Sequence, residues 1–259
     1  MGKCAKKDPS NMPFLDHLEE LRWRILKCLA SVMFFTAASF PFSGKLLDLL
    51  TLPNAQLKEP AKLIFLKPTG MLVVRMEIAL AVGLIISIVV IFYQFWQFVS
   101  PGLLEKEKKY FFPSLIFTTI CFMGGAAFAY FLVIPLVLPI LFGMGTDDIE
   151  ATINITEYLS FTLRLILVSG LIFELPVLSF FLSRIGVLKP VFLRKYRRYG
   201  IVLSCIFAAL ITPPDPLSMV MMATPLIILY EISIWIAVIG YKKKKASDEA
   251  WENEFKGDG

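Results

Sequence analysis

The sequence has few of the residues on which most enzymes and metal sites depend. It contains a single histidine, His17, and four cysteines that are widely spaced and never form a C-x-x-C pair. One isolated imidazole excludes a Ser-His-Asp triad or a histidine-rich metal cluster, and neither an H-E-x-x-H motif nor a nucleotide-binding loop occurs. Three of the four cysteines lie in apolar runs, which favours a packing role. We therefore predict that the protein is not an enzyme and holds no metal or cofactor.

Charge is also scarce, at 18% of the 259 residues, whereas 57% of the residues are hydrophobic. The mean hydropathy is +0.70. A soluble domain of this length would expose too much apolar surface, so the composition predicts an integral membrane protein. The charges fall in clusters between apolar runs, so the net charge of +5 indicates loop orientation and not a nucleic-acid partner. The polar first two dozen positions argue against a cleavable signal peptide.

Six apolar runs predict an all-α domain of six membrane helices over residues 1–240. The predicted spans cover about Ile25–Phe42, Val74–Val99, Phe111–Ile134, Tyr158–Leu182, Tyr199–Ile211 and Leu217–Ile239. A bilayer core requires about 20 residues, so the short fifth helix would cross incompletely, thin the membrane or shelter behind its neighbours. An amphipathic helix at 13–24 precedes the first span. The polar tail, residues 241–259, is predicted to be disordered and cytoplasmic.

Lysine and arginine are distributed unequally between the two sides of these spans. Nineteen fall before the first span, in the second and fourth loops and in the tail, whereas the first loop has four and the third and fifth have none. By the positive-inside rule, both termini are predicted to be cytoplasmic. The first outer loop, 43–68, contains three prolines and is expected to hold a short interfacial helix. Together with the acidic third loop, 135–157, it could form an external cap.

Glu174 is the one charged residue in the run LVSGLIFELPVLSFFL. An acid inside a membrane usually faces a bundle interior, a partner or a water-filled cavity. It is either a protonated glutamate that hydrogen-bonds to a neighbouring helix or a functional acid at a concave surface. Pro176 should free the carbonyl near Ile172 and kink the helix beside the acid. Arg164 is ten residues away, about 15 Å along a helix, and cannot pair with Glu174 within it.

Two cytoplasmic segments carry candidate binding residues, and each has a structural alternative. In FLDHLEELRWRIL, Glu20 and Arg24 have the spacing of an i,i+4 ion pair, or Glu20 and Arg22 could form an interfacial site. In the segment 92–111, Glu105 and Glu107 lie among three lysines and could be a solvated charged loop. A carboxylate there would otherwise suit a cationic ligand such as an arginine pair, because guanidinium binds carboxylate bidentately.

Small residues also predict one helix–helix contact. Cys121, Gly125 and Ala129 recur at i, i+4 and i+8 on the third span. Such a stripe lets two membrane helices approach closely.

Six motifs, in this order, resemble the TatC family, the multi-spanning subunit of the twin-arginine protein translocase. They are HLEELRWRIL, YQFWQFVSPGLLEKEKK, AFAYFLVIPL, FELPV, ITPPD and LYEIS. The resemblance covers roughly residues 12 to 240. It implies a glove-like six-helix receptor with a concave face, located in the cytoplasmic (inner) membrane of a prokaryote. The family recognises the Arg-Arg pair of signal peptides on folded cargo, self-associates, and exports the cargo using the proton-motive force.

The resemblance also implies roles for individual residues. Glu20 and Glu107 would contact the two arginines of the signal peptide, with Arg22 and Phe98 supporting the site. Glu174 would line the groove in which the signal peptide or partner helices pack. The positions at which TatA- or TatB-type subunits would dock are Thr212 and Asp215. One departure is Val89, which stands where family members often carry a proline, and it bears on the shape of the second helix.

Without the family resemblance, the residues leave two other classes of function to consider. A proton-coupled small-molecule transporter could use Glu174 as its titrating group. It would leave the amphipathic N-terminal helix and the acidic positions on a basic face unexplained. An intramembrane hydrolase would need a nucleophile with a base, paired aspartates or a metal triad, none of which the spans contain.

Overall fold

The structure, a computed structural model, describes residues 14–99, 111–142, 152–212 and 216–257. These residues are largely helical. The α-helices, in chain order, are α1 (Phe14–Ser39), α2 (Ser43–Ala55), α3 (Gly70–Val99), α4 (Phe111–Phe128), α5 (Ile134–Phe142), α6 (Ile155–Ile172), α7 (Leu175–Ile185), α8 (Pro190–Lys195), α9 (Arg197–Ile211) and α10 (Pro216–Gly257). A 3-10 turn (Phe40–Phe42), a π-helical turn (Ala129–Val133) and two strands, β1 (Lys62–Ile64) and β2 (Thr152–Asn154), join them.

Within the described residues, five helical stretches are long and apolar enough to cross a membrane, which makes this a multi-pass membrane protein. They are Leu18–Ala55, Gly70–Phe98, Phe112–Phe142, Ile155–Ile185 and Pro216–Lys245. Helix α9 lies at the predicted fifth span and has 15 residues. At 1.5 Å per residue it extends about 22 Å, less than the roughly 30 Å of a bilayer core. A sixth crossing, and the side on which the termini lie, stay predictions.

The predicted amphipathic helix and first span form one continuous helix, α1. The sequence from 14 to 39 has no glycine or proline to interrupt it. α1 packs along α3, and the two helices come close together at Gly83. A Cβ there would lie 2.6 Å from the Thr36 backbone nitrogen, so a larger residue would push the two helices apart.

At one end of the bundle, here called the cap end, the described residues of the two predicted outer loops meet. The short helix expected in the first loop is present as α2, and its position at the membrane interface stays a prediction. Parallel strands β1 and β2 pair Leu63 with Ile153 and so join the first loop to the third. The Asn54 side chain bonds the backbone nitrogen and oxygen of Ala61 at 3.1 and 3.0 Å. The strand pairing joins the two loops at the cap end, and the Asn54 bonds fix the first loop internally.

The third span is longer than predicted, because α5 continues to Phe142 past Pro135 and Pro139. The π-helical turn Ala129–Val133 comes directly before this proline-containing segment. A wider turn redistributes backbone hydrogen bonds where a proline supplies no N–H, so the helix bends without ending.

The fourth span is interrupted beside its acid, as Pro176 predicted. Helix α6 ends at Ile172, and α7 begins at Leu175. The Glu174 nitrogen donates to the Leu171 oxygen at 3.2 Å, a bond to the third residue back. Because Pro176 has no N–H, it is accommodated in the first turn of a new helix.

Close packing of α4 on α6 confirms the small-residue prediction at Gly125. A Cβ on Gly125 would lie 2.7 Å from the Ser169 oxygen and 2.8 Å from the Phe173 Cβ. A second close contact lies at Gly170 of α6, which faces the Phe122 ring of α4. The main apolar core lies between α2, α3, α4, α5 and α6, and α9 and α10 also contribute buried residues, among them Ala208 and Met222. The break at Glu174 therefore directly follows a segment held firmly against α4.

The tail differs from its prediction, since α10 continues as helix to Gly257. The segment after Tyr241 is rich in lysine, alanine and glutamate, which are strong helix formers, and the next glycine or proline is Gly257 itself. Lys244 also ties α10 to α7, because its Nζ donates to the Ile185 oxygen at 2.9 Å. Gly186 ends α7 at φ 89° and leaves room for that lysine.

The LYEIS motif of α10 holds both α8 and the start of α9 against that helix. The Tyr230 hydroxyl donates to the Leu193 oxygen at 3.1 Å, and the Glu231 carboxylate pairs with Arg197. The Tyr230 ring lies so close to Gly200 that a Cβ there would be 2.4 Å from it. The start of α9 is therefore fixed beside the middle of α10.

Candidate functional site

A polar cluster joins α1 to α3 at the end of the bundle away from the cap. Its centre is the Arg24 guanidinium. Nε and Nη2 of Arg24 both donate to the Glu20 Oε1, with the Nε bond at 3.0 Å. Nη1 donates to the Gln97 Oε1 at 2.8 Å and to the Gln94 Oε1 at 3.3 Å. We call these four residues the guanidinium cluster; its three acceptors are one carboxylate and two amide carbonyls.

Local helix geometry explains the cluster. Glu20 and Arg24 are one turn apart on α1, and Gln94 and Gln97 are three apart on α3, so each pair shares a helix face. Between the two glutamines, Trp96 points inward, is 1% exposed and packs edge-on against the Phe181 ring. Burial of that indole orients the end of α3 and directs its amides toward α1.

The structure brings only some of the predicted signal-peptide residues together. Glu20 lies in the cluster, and its predicted i,i+4 pair with Arg24 is confirmed. Arg22 is exposed and lies about 200° around α1 from Glu20, so it points away from the cluster. Phe98 follows Gln97 on α3 and is half-buried. Glu107 lies outside the described residues.

Sequence reasoning missed the part played by Gln94 and Gln97. The spacing of Glu20 and Arg24 accounted for both charges within one helix, which left the arginine's remaining donors unconsidered. The signal was present in YQFWQF, where two glutamines at i and i+3 flank an apolar tryptophan. Polar side chains on a face of an apolar helix need a partner.

Glu174 is buried at the break between α6 and α7. It is 3% exposed, and neither carboxylate oxygen has a hydrogen-bond partner among the described residues. A buried, unsatisfied carboxyl group is costly and requires an explanation. On one side of Glu174, Phe173 packs on Gly125; on the other side, Leu175 begins a new helix with Pro176 in its first turn.

A second polar site lies near the cap end, at the junction of α6 and α9. Thr212 is buried and donates its hydroxyl to the Ala208 oxygen at 2.9 Å. It lines a cavity of about 280 Å³ with Glu157, Ser160 and Arg164 among the other walls. Ser160 in turn donates to the Glu77 Oε2 at 2.7 Å. Asp215 lies outside the described residues.

A larger cavity, of about 320 Å³, is almost entirely apolar. It lies between α2, α3, α4 and α6, with Tyr130 at its edge. Within the described parts of the chain, no group of three or more histidine, cysteine, aspartate or glutamate residues is placed to hold a metal.

Comparisons with known proteins agree on one family. The family model described as Sec-independent protein translocase protein (TatC) matches residues 16–225. A TatC of Desulforapulum autotrophicum is 39% identical over 249 residues, 95% of this chain and 92% of the relative. A TatC of Aquifex aeolicus is 39% identical over 241 residues, 92% of this chain and all of the relative. A TatCy of Bacillus subtilis is 38% identical over 246 residues, 93% and 94% of the two chains.

Two solved structures have the same fold. One, described as the crystal structure of the twin arginine translocase receptor TatC, superposes with a TM-score of 0.80 at 38% identity. It covers 86% of this chain and 99% of the other. The second, of the receptor in the detergent DDM, gives the same TM-score and identity over 85% and 99% of the chains.

Proposed function

The chain belongs to the TatC family of Sec-independent protein translocase proteins, and from that premise we propose that it is the receptor subunit of a twin-arginine translocase. In this role it binds the Arg-Arg pair of a signal peptide at the cytoplasmic face and passes folded cargo into the export complex. Its relatives are named as translocase components, which is a transport role and not catalysis. We place it in the cytoplasmic (inner) membrane, with both termini inside.

The observation that carries this proposal is the guanidinium cluster. Its acceptor oxygens, on Glu20, Gln94 and Gln97, already hold one guanidinium, that of Arg24. A carboxylate flanked by amide carbonyls can hold the fork of an arginine, whereas a lysine ammonium offers a point charge without that shape. The cluster thus has the chemistry that recognition of an arginine pair requires.

The energetics fit a receptor of moderate affinity. A fully exposed ion pair contributes only about 0.2–1 kcal/mol, whereas a charged hydrogen bond with partial burial contributes about 1.5–3 kcal/mol. The Glu20 side chain is 25% exposed, which places it in the second class. Glu20 and Glu107 together would supply two such contacts, one for each arginine of the peptide.

Site-specific photocrosslinking tests the proposal. Probes replace Trp23, which is 60% exposed beside the cluster, and Phe98, in membranes that contain the full chain. A twin-arginine signal peptide is compared with its Lys-Lys version. We expect crosslinks that are strong with Arg-Arg and lost with Lys-Lys. Equal crosslinking of both peptides, or crosslinking of neither, would refute the receptor assignment.

Neighbouring acids supply matched controls. Glu19 is exposed and adjacent to Glu20, so Glu19→Ala removes the same charge from the same helix. We expect Glu20→Ala to weaken signal-peptide binding by about tenfold or more, the effect of one charged hydrogen bond. Glu19→Ala should have little effect. Likewise, Glu107→Ala should weaken binding more than Glu105→Ala, and equal effects would indicate a diffuse acidic patch.

We also assign the cavity beside Thr212 to docking of single-span TatA- or TatB-type subunits. A membrane helix that brings a polar side chain to this depth could bond Arg164, which is exposed and has no ion pair within the described residues. Charges in a span are expected to face a partner or a cavity. Crosslinks from Thr212 or Asp215 to a partner helix would support this. Their complete absence in an export-competent complex would count against it.

Glu174 belongs, in this proposal, to the groove that holds an inserted signal peptide or partner helix. Its support is the buried, unsatisfied carboxyl group at a helix break. An arriving polar group could satisfy it if α7 moves about the hinge at Pro176. Unchanged export and unchanged partner crosslinking in Glu174→Ala would remove Glu174 from the mechanism.

The alternative of a proton-coupled small-molecule transporter loses support, because the relatives are named as translocase proteins over nearly their whole length. We propose that the proton-motive force drives export by the assembled complex, in which the receptor also self-associates. Solute uptake by proteoliposomes that contain only this protein would revive the transporter hypothesis.

A further inference from the structure

We propose that Arg24 is a specificity-determining residue: it is an internal occupant of the arginine site, which an incoming arginine replaces and an incoming lysine does not. The inference rests on the proposed function, since it concerns the same site. The proposal adds one residue to that site: Arg24 occupies the acceptor oxygens before the signal peptide arrives, and a peptide must displace it from Glu20 in order to bind.

The geometry shows that the acceptors are engaged. Arg24 directs two of its donors to a single oxygen, the Glu20 Oε1, and a third to Gln97 at 2.8 Å. The Arg24 side chain is only 12% exposed. The pair is therefore partly shielded from solvent, and a ligand that seeks that oxygen must compete with a guanidinium already in place.

The two glutamines make the exchange feasible. If an arginine of the peptide takes the Glu20 oxygen, Arg24 retains the Gln97 and Gln94 carbonyls as acceptors. The displaced guanidinium is not left without partners, so displacement avoids the penalty of an unpaired buried charge. An i,i+4 ion pair within α1 would not need these additional acceptors on α3.

Competition favours arginine over lysine for a geometric reason. Arg24 binds through several N–H groups fixed in one plane, and a peptide arginine replaces them with an equivalent set. A lysine ammonium cannot reproduce that fork, so competition with Arg24 lowers the affinity of a lysine peptide more than that of an arginine peptide. Without Arg24, a lysine would need only to approach a carboxylate. Arg24 therefore increases the difference in affinity between the arginine peptide and the lysine peptide.

The simpler role for Arg24 is a clamp that holds α1 against α3. A clamp affects folding and the affinity of every ligand by the same factor, whereas the proposed role changes the ratio of two affinities. General electrostatics also makes a distinct prediction: removal of any nearby positive charge improves binding of both cationic peptides together. The ratio of affinities is thus the informative quantity.

The experiment measures dissociation constants of Arg-Arg and Lys-Lys signal peptides for the full chain in lipid nanodiscs. Arg24→Gln is compared with Lys27→Gln, which removes an equal charge from an exposed position one turn further along α1. We expect Arg24→Gln to reduce the Arg-Arg preference by about fivefold or more, mainly through tighter binding of Lys-Lys. Lys27→Gln should leave the preference within about twofold.

Each outcome decides something. An unchanged preference in Arg24→Gln, with both affinities shifted together, would overturn the proposal in favour of the clamp or of general electrostatics. Arg24→Lys covers the case in which the glutamine variant does not fold, because it keeps the charge and removes the fork; its preference should also fall, and an unchanged preference overturns the proposal. A wild-type chain that binds both peptides equally would refute the receptor function itself, whereas a wild-type preference that survives in both variants would refute only the role of Arg24.

Discussion

The two adjacent glycines on α4 provide a direct test of the packing that fixes the chain before Glu174. Gly125→Ala adds a Cβ at 2.7 Å from the Ser169 oxygen and 2.8 Å from the Phe173 Cβ, where ordinary contacts begin at 3.4 Å. Backbone and the first side-chain carbon cannot swing away, so α4 and α6 must separate by about 0.7 Å. At Gly124, one residue earlier, the added Cβ has nothing within 4 Å.

The two substitutions should therefore have opposite effects on the stability of the fold. Replacement of a helix-interior glycine by alanine stabilises by about 0.8–1 kcal/mol, since alanine loses less backbone entropy. Overpacking of a close contact costs about 1–3 kcal/mol. Gly124→Ala should therefore raise the free energy of unfolding by about 0.8–1 kcal/mol. Gly125→Ala combines this gain with the cost of overpacking and should lower the free energy of unfolding by up to about 2 kcal/mol.

Thermal unfolding in detergent measures both effects; a thiol reagent follows it in chains whose other cysteines are replaced by alanine, so that only Cys121 reacts. We expect the Tm of Gly124→Ala to equal or exceed that of the wild type and the Tm of Gly125→Ala to fall by several degrees. Export should fall in Gly125→Ala, because the displaced helix carries the segment that leads to Glu174. Equal Tm values for the two variants would refute the close α4–α6 contact.

Three further predictions concern the cap end and α9. Tyr158→Phe removes a buried hydrogen bond to the Leu50 oxygen at 3.0 Å and should cost about 1 kcal/mol, seen as a lower Tm. Asn54→Ala removes two buried bonds to Ala61 and should cost about 2–3 kcal/mol; protease cleavage within 56–61 should then appear. Arg197→Gln should change the Tm little, because its side chain is 59% exposed and such pairs contribute under about 1 kcal/mol. A large loss in Arg197→Gln, or none in Asn54→Ala, would contradict these assignments.

Periodicity and composition were enough for the membrane class, for five of the predicted spans, for a short helix in the first loop and for the helix break beside Pro176. The reason is that hydrophobic length, proline and glycine act within one segment, whatever its neighbours. The six ordered motifs were enough for the family, which the comparisons confirm. The prediction of a disordered tail was wrong. It gave more weight to the many charges of the segment than to its high helix propensity. The hydrogen bond from Lys244 to α7 was also not visible from the sequence.

Contacts between distant segments were decided only by the tertiary structure. Glu20 and Arg24 predict an ion pair by spacing alone, but the arginine's bonds to Gln94 and Gln97 require α1 and α3 to meet, and these residues lie some seventy positions apart. In the same way, an acid in an apolar run is evident in the sequence, whereas its burial depends on Gly125 drawing α4 onto α6. Local chemistry is encoded residue by residue. Which donors meet which acceptors depends on how whole helices pack, and that is a property of the folded chain.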